Sequence, residues 1–272
     1  MSHESETGSG TWATLLEPLR ERPECAAILT DVDGTLAPIA ERAADAAVLD
    51  GTLEALTALS ARYGLVGCVS GRQATEARRL VGLDTLAYAG NHGLELLMPG
   101  ESEPRLDPSL DGRERQAAEF LAEIDGRLAA TGLRTEDKGP IQALHWRGAE
   151  DEEAAQSRAH EIAIDAGHAG LEPRWGRKVL ELRPVGGGGK DAAVASLLAG
   201  EELDRAVYAG DDRTDLDAFA ALADLRDSGR LDTAICVGVG SEEGPREIAE
   251  RADLVLDGPG DMRQLLEALL GN

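Results

Sequence analysis

The sequence predicts an α/β protein: a doubly wound, parallel-sheet core of Rossmann-like type carrying an inserted α+β module. Three observations predict it. Short apolar runs alternate with helix-patterned segments from Ala26 to Gly90, and the same alternation resumes from Lys190 to the end of the chain. Between these halves the rhythm changes to a helix followed by a hairpin, twice over.

The elements follow in order. AAILTD is a buried strand, AAVLDGTLEALTALSARYG a helix stopped by Gly64, LVGCVS a second strand, GRQATEARRLVGL a helix and TLAYAG a third strand. GRERQAAEFLAEIDGRLAATG is patterned as one helix ended by Gly132, and LRTEDKG and PIQALHWRG as two strands around Gly139 and Pro140. EDEEAAQSRAHEIAIDAGHAG is a further helix, acidic at its start as the macrodipole favours, and LEPRW and KVLELRP are strands around Gly176. This middle stretch implies four antiparallel strands with two helices on one face. GKDAAVASLLAG, AVYAGDD, TDLDAFAALADL, TAICVGVG, LVLDG and DMRQLLEALLG then read as alternating helices and strands. The expected domains are a catalytic core of residues 1–104 and 185–272 and an inserted module of residues 105–184. The Pro- and Gly-rich PGESEPRLDPS and RPVGGGG would join them as hinges.

Composition excludes several functions. The net charge of −24, from 51 acidic and 27 basic residues, opposes binding to nucleic acids and anionic membranes, which needs clustered Lys and Arg. Aromatics at 3% are too sparse for stacking platforms. MSHESETGSG lacks the basic-then-apolar pattern of a signal peptide, and no apolar run approaches a membrane span. Cys25, Cys68 and Cys236 are unpatterned, as in a reducing compartment, so the expected location is the cytoplasm; a monomer is the default expectation, which no residue pattern here decides. Only three of the 27 basic residues are Lys: Lys138, Lys178 and Lys190. A chain that otherwise uses Arg has kept a compact ammonium at few places.

Two acidic clusters follow buried strands: Asp31 and Asp33 in TDVDGT, and Asp211, Asp212 and Asp215 in YAGDDRTD. Asp and Gly also suit turns, so either cluster alone is ambiguous. In a parallel sheet both emerge at the same edge, where the carboxylates repel unless a hard divalent cation such as Mg²⁺ joins them. Ser70 and Gly71, where a strand passes into a helix, make an anion seat, and Lys190 behind GGGG supplies a positive charge. These groups together fit a phosphate.

DVDGTL, VSGR, GGGGK and GDDRTD, in this order and spacing, resemble the four motifs of the haloacid dehalogenase superfamily, on its phosphatase branch. The insertion resembles that superfamily's larger type of cap. The resemblance implies that Asp31 is a nucleophile forming an aspartyl-phosphate. Asp33 would be the acid that protonates the leaving oxygen and then the base for hydrolysis. It implies Mg²⁺ held by Asp31, the Asp33 carbonyl and Asp211, with Asp215 orienting metal waters or Lys190. Ser70, Gly71, Arg72 and Lys190 would hold the phosphate.

The substrate is read from the insertion. Glu136 and Lys138 share a strand face, as do His145 and Arg147 on the next strand, and Arg177, Lys178 and Glu181 follow. Paired carboxylates and ammonium groups suit a polyhydroxylated ligand, although an exposed, charged sheet edge has the same pattern. AGNHGLEL, EDKG, LHWR and LELRP resemble the trehalose-6-phosphate phosphatases. That likeness implies a small-molecule sugar phosphate as partner, its distal glucose gripped by Glu136, Lys138, Arg147, Lys178 and Glu181, with Asn91 and His92 near the sugar. Lys178 and Glu181 are three apart, so either Lys178 reaches in from the Gly176 turn or only one of them contacts sugar. His145 reads either as a member of this sugar-facing set or as a packed sheet histidine, the second being the reading preferred here. Asp191 and Leu216 depart from the family pattern; Asp191 either caps a helix or weakens the hold of Lys190 on phosphate.

Trehalose 6-phosphate is therefore the expected substrate. The alternatives are glucosylglycerol phosphate, sucrose 6-phosphate, a pseudo-disaccharide phosphate, or a non-catalytic sugar-phosphate-binding role. A nucleotide-binding Walker loop is excluded, because Pro184 and Asp191 stand where Gly and Ser or Thr are required.

Overall fold

Ala26–Thr30 is buried along its whole length, as a central parallel strand covered on both faces must be. The computed structural model of the chain describes residues 8–40, 45–128, 131–176, 178–200, 202–240 and 244–271. Arg177, and the first seven residues on which most of the signal-peptide reading rests, lie outside these. The chain divides into two compact units, Met1–Arg105 with Gly189–Asn272, and Leu106–Gly188.

In chain order the elements are α1 (Gly8–Glu21), β1 (Ala26–Thr30), α2 (Thr52–Ser60), β2 (Leu65–Val69), α3 (Ala74–Val81), β3 (Ala87–Gly90), β4 (Glu95–Leu97) and β5 (Arg105–Leu106). There follow α4 (Gln116–Glu123), α5 (Asp125–Leu128), β6 (Arg134–Lys138), β7 (Ile141–His145), α6 (Glu152–His168), β8 (Leu171–Gly176) and β9 (Val179–Pro184). The chain ends with α7 (Lys190–Leu197), β10 (Arg205–Gly210), α8 (Asp215–Asp227), β11 (Thr233–Val239), α9 (Arg246–Arg251), β12 (Leu254–Leu256) and α10 (Pro259–Leu270).

The first unit is built on a sheet ordered β12-β11-β10-β1-β2-β3-β4-β5. The strands from β12 to β3 are parallel, and β4 runs antiparallel to β3. Alternate residues of each strand serve opposite faces. Ile28, Val66, Tyr88 and Val207 pack with α1, α2, α3 and α10, whereas Ala27, Leu29, Ala87 and Ala206 pack with α7, α8 and α9. The doubly wound expectation is met. The chain leaves β1 toward β2 and β3, and later returns to place β10 on the other side of β1. That reversal opens a crevice at the carboxyl ends of the two central strands.

Three helix boundaries differ from the sequence reading. The segment before α2 is not helical, because Gly51 takes the left-handed conformation (φ +82°) and the helix starts only after it. The stretch expected as one helix up to Gly132 breaks at Ile124 into α4 and the short α5. Helix α1 was not anticipated, although Trp12, Leu15, Leu16 and Leu19 stand at helical spacing and pack on the core.

The second unit contains the four-stranded antiparallel sheet β6-β7-β9-β8. One face, through Leu144, Leu171, Leu180 and Leu182, packs against α4 and α6. By register the other face carries Glu136, Lys138, His145, Glu172, Arg174, Glu181 and Arg183. Among the described residues, no helix is long and apolar enough to cross a membrane.

Leu180 is fully buried in the core of the second unit. Leu180→Ala should cost about 2–5 kcal/mol, and hydrogen exchange should accelerate within residues 106–188, leaving the β1 and β10 amides protected.

Candidate active site

The site begins with strand register. Thr30 lies beside Ala209 in the β1–β10 pair, and the Asp31 N–H donates to the Ala209 carbonyl at 2.8 Å. The residues just past the two strands, Asp31 and Asp211, are therefore neighbours although 180 positions apart in the chain. The Ser70 N–H likewise donates to the Ala89 carbonyl at 2.9 Å, placing Ser70 at the same edge.

Lys190, 2% exposed at the start of α7, directs its Nζ to Asp31 Oδ1 at 3.1 Å and to Asp215 Oδ1 at 2.6 Å. Asp215 also accepts from the Tyr208 hydroxyl at 2.6 Å and from the Asp211 and Asp212 N–H groups at 3.0 and 2.9 Å. Four donors occupy its two oxygens, so its observed role is to anchor Lys190 and the β10–α8 loop. The resemblance set Asp215 among the metal groups, orienting metal waters or Lys190, and its contact with Lys190 is present here. Asp212 is half exposed, 3.9 Å from Lys190, and accepts from Thr214.

Carboxylate oxygens of Asp31, Asp211 and Asp215 lie within 4.8 Å of one another, all buried. Burial pushes the Asp31 carboxyl well above the usual range; Lys190 opposes the shift, and Asp215, Asp212 and Asp211 add to it. Burial, then Asp215 and Asp212, push Asp211 up to about 7. One ammonium does not balance these carboxylates, and all-oxygen donors converging on one point fit a hard divalent cation. The loop is shaped for the approach. Gly34 (φ +89°) passes so close to Asp211 that any Cβ would overlap its carboxylate, and Thr35 Oγ1 donates to Asp211 Oδ1 at 3.3 Å.

Asp33 is less buried. Arg72 grips it through two hydrogen bonds of 2.7 Å, Nε to Oδ2 and Nη2 to Oδ1. Ser70 is fully buried and Gly71 lies against His92, where a Cβ would come 2.7 Å from Nε2. The sequence reading put Ser70 and Gly71 at a helix start, but α3 begins at Ala74. Its first N–H donates to Glu95 Oε2 at 2.9 Å, so an anion at Ser70 would meet turn amides rather than the helix end.

Asn91 and His92 both take positive φ (49° and 54°), an unusual pair for side chains with a Cβ. Their N–H groups donate to the Arg72 and Ser70 carbonyls at 2.7 and 2.9 Å. Asn91, expected near the sugar, is fully buried, and its Nδ2 donates to Glu95 Oε1 at 2.9 Å, so it holds this turn. His92 is partly exposed at the rim, and its carbonyl accepts from the Gly189 N–H at 2.5 Å. The Asp191 carboxylate folds back over Gly189, and Lys190 pairs with Asp31 and Asp215 instead.

In the second unit, Lys138 Nζ donates to Glu181 Oε1 at 2.9 Å and Arg183 Nη2 to Glu181 Oε2 at 2.6 Å. Glu136 Oε2 is 2.6 Å from His145 Nε2, so His145 pairs with Glu136 on this face. Glu136, Lys138 and Glu181 are thus brought together on the open sheet face. Two other expected members are not. Arg147 lies in an exposed turn, because β7 ends at His145. Lys178, in a left-handed turn (φ +58°), reaches Glu152 at 2.5 Å on the side of α6, the opposite face from Glu181. The three-residue spacing from Glu181 had already pointed that way.

Sequence reasoning missed Glu95, Thr35 and Tyr208. Glu95 had a legible signal, a lone carboxylate in the otherwise apolar LELL. Tyr208 had none, because only its hydroxyl's partner distinguishes it from any buried strand aromatic.

Comparison with known proteins agrees with this geometry. The family profile described as trehalose-phosphatase matches residues 29–251. A trehalose-phosphate phosphatase of Mycobacterium avium is 34% identical over 212 residues, covering 72% of this chain and 51% of the relative. An uncharacterised glycosyl hydrolase of Mycobacterium tuberculosis is 36% identical over 215 residues, covering 72% of this chain but 15% of the relative. The match thus takes in about half, or far less, of these curated relatives. Among solved structures, a trehalose-6-phosphate phosphatase related protein superposes with a TM-score of 0.67 at 27% identity, over 90% of this chain and 98% of its own. The carboxy-terminal domain of the C. albicans trehalose-6-phosphate phosphatase superposes with a TM-score of 0.74 at 21% identity, over 95% of this chain and 97% of its own, a likeness of fold.

Asp215→Ala takes the nearer of two buried carboxylates from Lys190 and leaves three other donors without their acceptor. It should lower stability by about 3–5 kcal/mol in urea unfolding, and Asp215→Asn, which retains acceptor capacity, should cost less.

Proposed function

This chain belongs to the trehalose-phosphatase family, and on that premise we propose that it hydrolyses trehalose 6-phosphate to trehalose and phosphate, with Mg²⁺, through an aspartyl-phosphate. One observation carries the reading. Asp31, buried at the end of the central strand, is paired with Lys190 and lies among the convergent carboxylates of Asp211 and Asp215. Residues 1–104 and 185–272 would perform the chemistry, and residues 105–184 would select the sugar.

Asp31 attacks phosphorus; its carboxylate oxygen forms the new P–O bond as the bond to the sugar oxygen breaks. Asp33 gives that oxygen a proton, then takes one from the water whose attack on phosphorus frees phosphate and restores Asp31. In the ligand-free chain Arg72 holds the Asp33 carboxylate by two bonds, so Asp33 must turn from Arg72 or share it with the phosphate. Ser70 Oγ, the Gly71 N–H and Lys190 Nζ would hold phosphoryl oxygens. Burial works against the Lys190 ammonium, but the carboxylates of Asp215 and Asp31 outweigh it and keep the group protonated and fixed. Asp31, the Asp33 carbonyl and Asp211 would hold Mg²⁺, which supplies positive charge against the nucleophile and the phosphoryl oxygens. Glu136, Lys138 and Glu181 would accept from and donate to sugar hydroxyls. The three free cysteines suit a reducing cytoplasm.

Asp31→Asn should show no phosphate release above background with an unchanged circular dichroism spectrum; retained turnover would show that another group is the nucleophile. Lys138→Ala removes a charged hydrogen-bonding group, worth roughly a ten- to hundredfold rise in KM for trehalose 6-phosphate. KM for p-nitrophenyl phosphate should be unchanged, and an equal rise for both esters would count against sugar recognition by that face. A panel of trehalose 6-phosphate, sucrose 6-phosphate, glucosylglycerol phosphate and glucose 6-phosphate, each with Mg²⁺ and with chelator, tests substrate and metal together. The highest kcat/KM should belong to the first, and chelator should abolish all turnover.

A further inference from the structure

Lys178 is one of only three lysines, yet the charged sheet face does not use it. It lines an open cavity of about 520 Å³ on the α6 side of the second unit, together with Trp146, Trp175, His160 and the first turn of α6. Two of the chain's three tryptophans meet here. Trp175 is 45% exposed, a large apolar surface left in water on a chain with 3% aromatics. Its indole stacks on the His160 ring (centroids 4.2 Å, 28° between planes) and meets Trp146 edge-on (6.0 Å, 69°).

We propose that this cavity, walled by Trp146, Trp175 and His160 and edged by Glu152, Glu153, Gln156 and Lys178, is a binding site for a neutral pyranoside.

The apolar C–H face of a pyranose ring covers an indole, and its equatorial hydroxyls need polar partners around the rim. The rim supplies both kinds. Glu152 is held rigidly, accepting from the Gly148 N–H at 2.7 Å and from Lys178 at 2.5 Å. The Glu153 carboxylate and Gln156 amide are exposed, with no side-chain hydrogen bond among the described residues. His160 Nδ1 lies 2.9 Å from the Gln156 carbonyl, an acceptor, so the Nδ1 side of the ring is taken up by that contact and Nε2 is left for a ligand.

Charge selects among ligand classes. The lining holds two carboxylates and one ammonium, and the Arg147 guanidinium also acts on Glu152, so among the described residues no strong charge of either sign draws in a phosphate ester. The ammonium in the wall opposes the organic cations that aromatic boxes otherwise attract. A neutral polyhydroxyl ligand faces neither penalty. The volume is that of a small-ligand pocket, and its open mouth points to millimolar affinity. The site lies on the opposite face of the sheet from Glu136, Lys138 and Glu181 and stands independently of the proposed phosphatase reaction.

The test is a ¹⁵N–¹H titration of the intact chain, following the indole N–H signals of Trp146 and Trp175, assigned with Trp146→Phe and Trp175→Phe. Trehalose, maltose and methyl α-glucoside serve as probes. Both signals should shift saturably with at least one sugar. Trp175→Ala, followed through Trp146, and the surface variant Glu153→Gln should each weaken binding at least about tenfold, a loss of roughly 1.4 kcal/mol. Phosphate release by both variants should equal that of the parent chain. No shift with any of the three sugars overturns the proposal, as does saturation by choline or inorganic phosphate without sugar, or sugar binding unchanged in both variants. None of these readings requires turnover, so failure here is distinct from failure of the phosphatase reading.

Discussion

Lys190 Nζ is the group on which the catalytic edge of the first unit depends. It is the ammonium set between the buried carboxylates of Asp31 and Asp215, and without it two negative charges would face each other in a place with little water. Asp215 fixes the ammonium and, through two backbone N–H groups, the loop that carries Asp211. One carboxylate thus positions a cation and an anion at once. The excess negative charge that remains beside Asp31 is what a divalent ion would neutralise.

The close approach of backbones makes this arrangement possible. Gly34 turns in the left-handed region against the Asp211 carboxylate, and a Cβ at Gly90 would overlap the Ala74 backbone at the start of α3. Glu95 then ties the first turn of α3 to Asn91, so that the segment carrying Ser70 and Arg72 and the turn carrying His92 form one rigid wall. Two residues at positive φ are tolerated there because backbone and side-chain hydrogen bonds together over-determine them.

The second unit divides its polar chemistry between two faces of one sheet. Strand alternation sends Glu136, Lys138 and Glu181 to the open face and the leucines to the helices. The left-handed turn at Lys178 breaks that alternation and delivers an ammonium to the helix side, where it meets Glu152 and the tryptophans. Each face therefore has its own pairing of carboxylate and ammonium, separated by an apolar layer.

Much was legible in the amino-acid sequence. Periodicity determined the alternation of strands and helices, because a strand buried on both faces must be apolar throughout. The positions of Asp31, Asp33, Ser70 and Asp211 just past strand ends followed from the parallel topology that the alternation implies, and that of Lys190 from a helix start behind GGGG. Tertiary structure decided what pairs with what. Asp215 became an anchor because four donors converge on it from β10, α7 and its own loop, and Asn91 became a buried support because Glu95 folds onto it. Lys178 crossed to the other face because a single positive φ redirects the chain. Hydrogen-bond partners at such places are set by three-dimensional proximity of groups far apart in the chain, and residue spacing along one strand or helix carries no record of them.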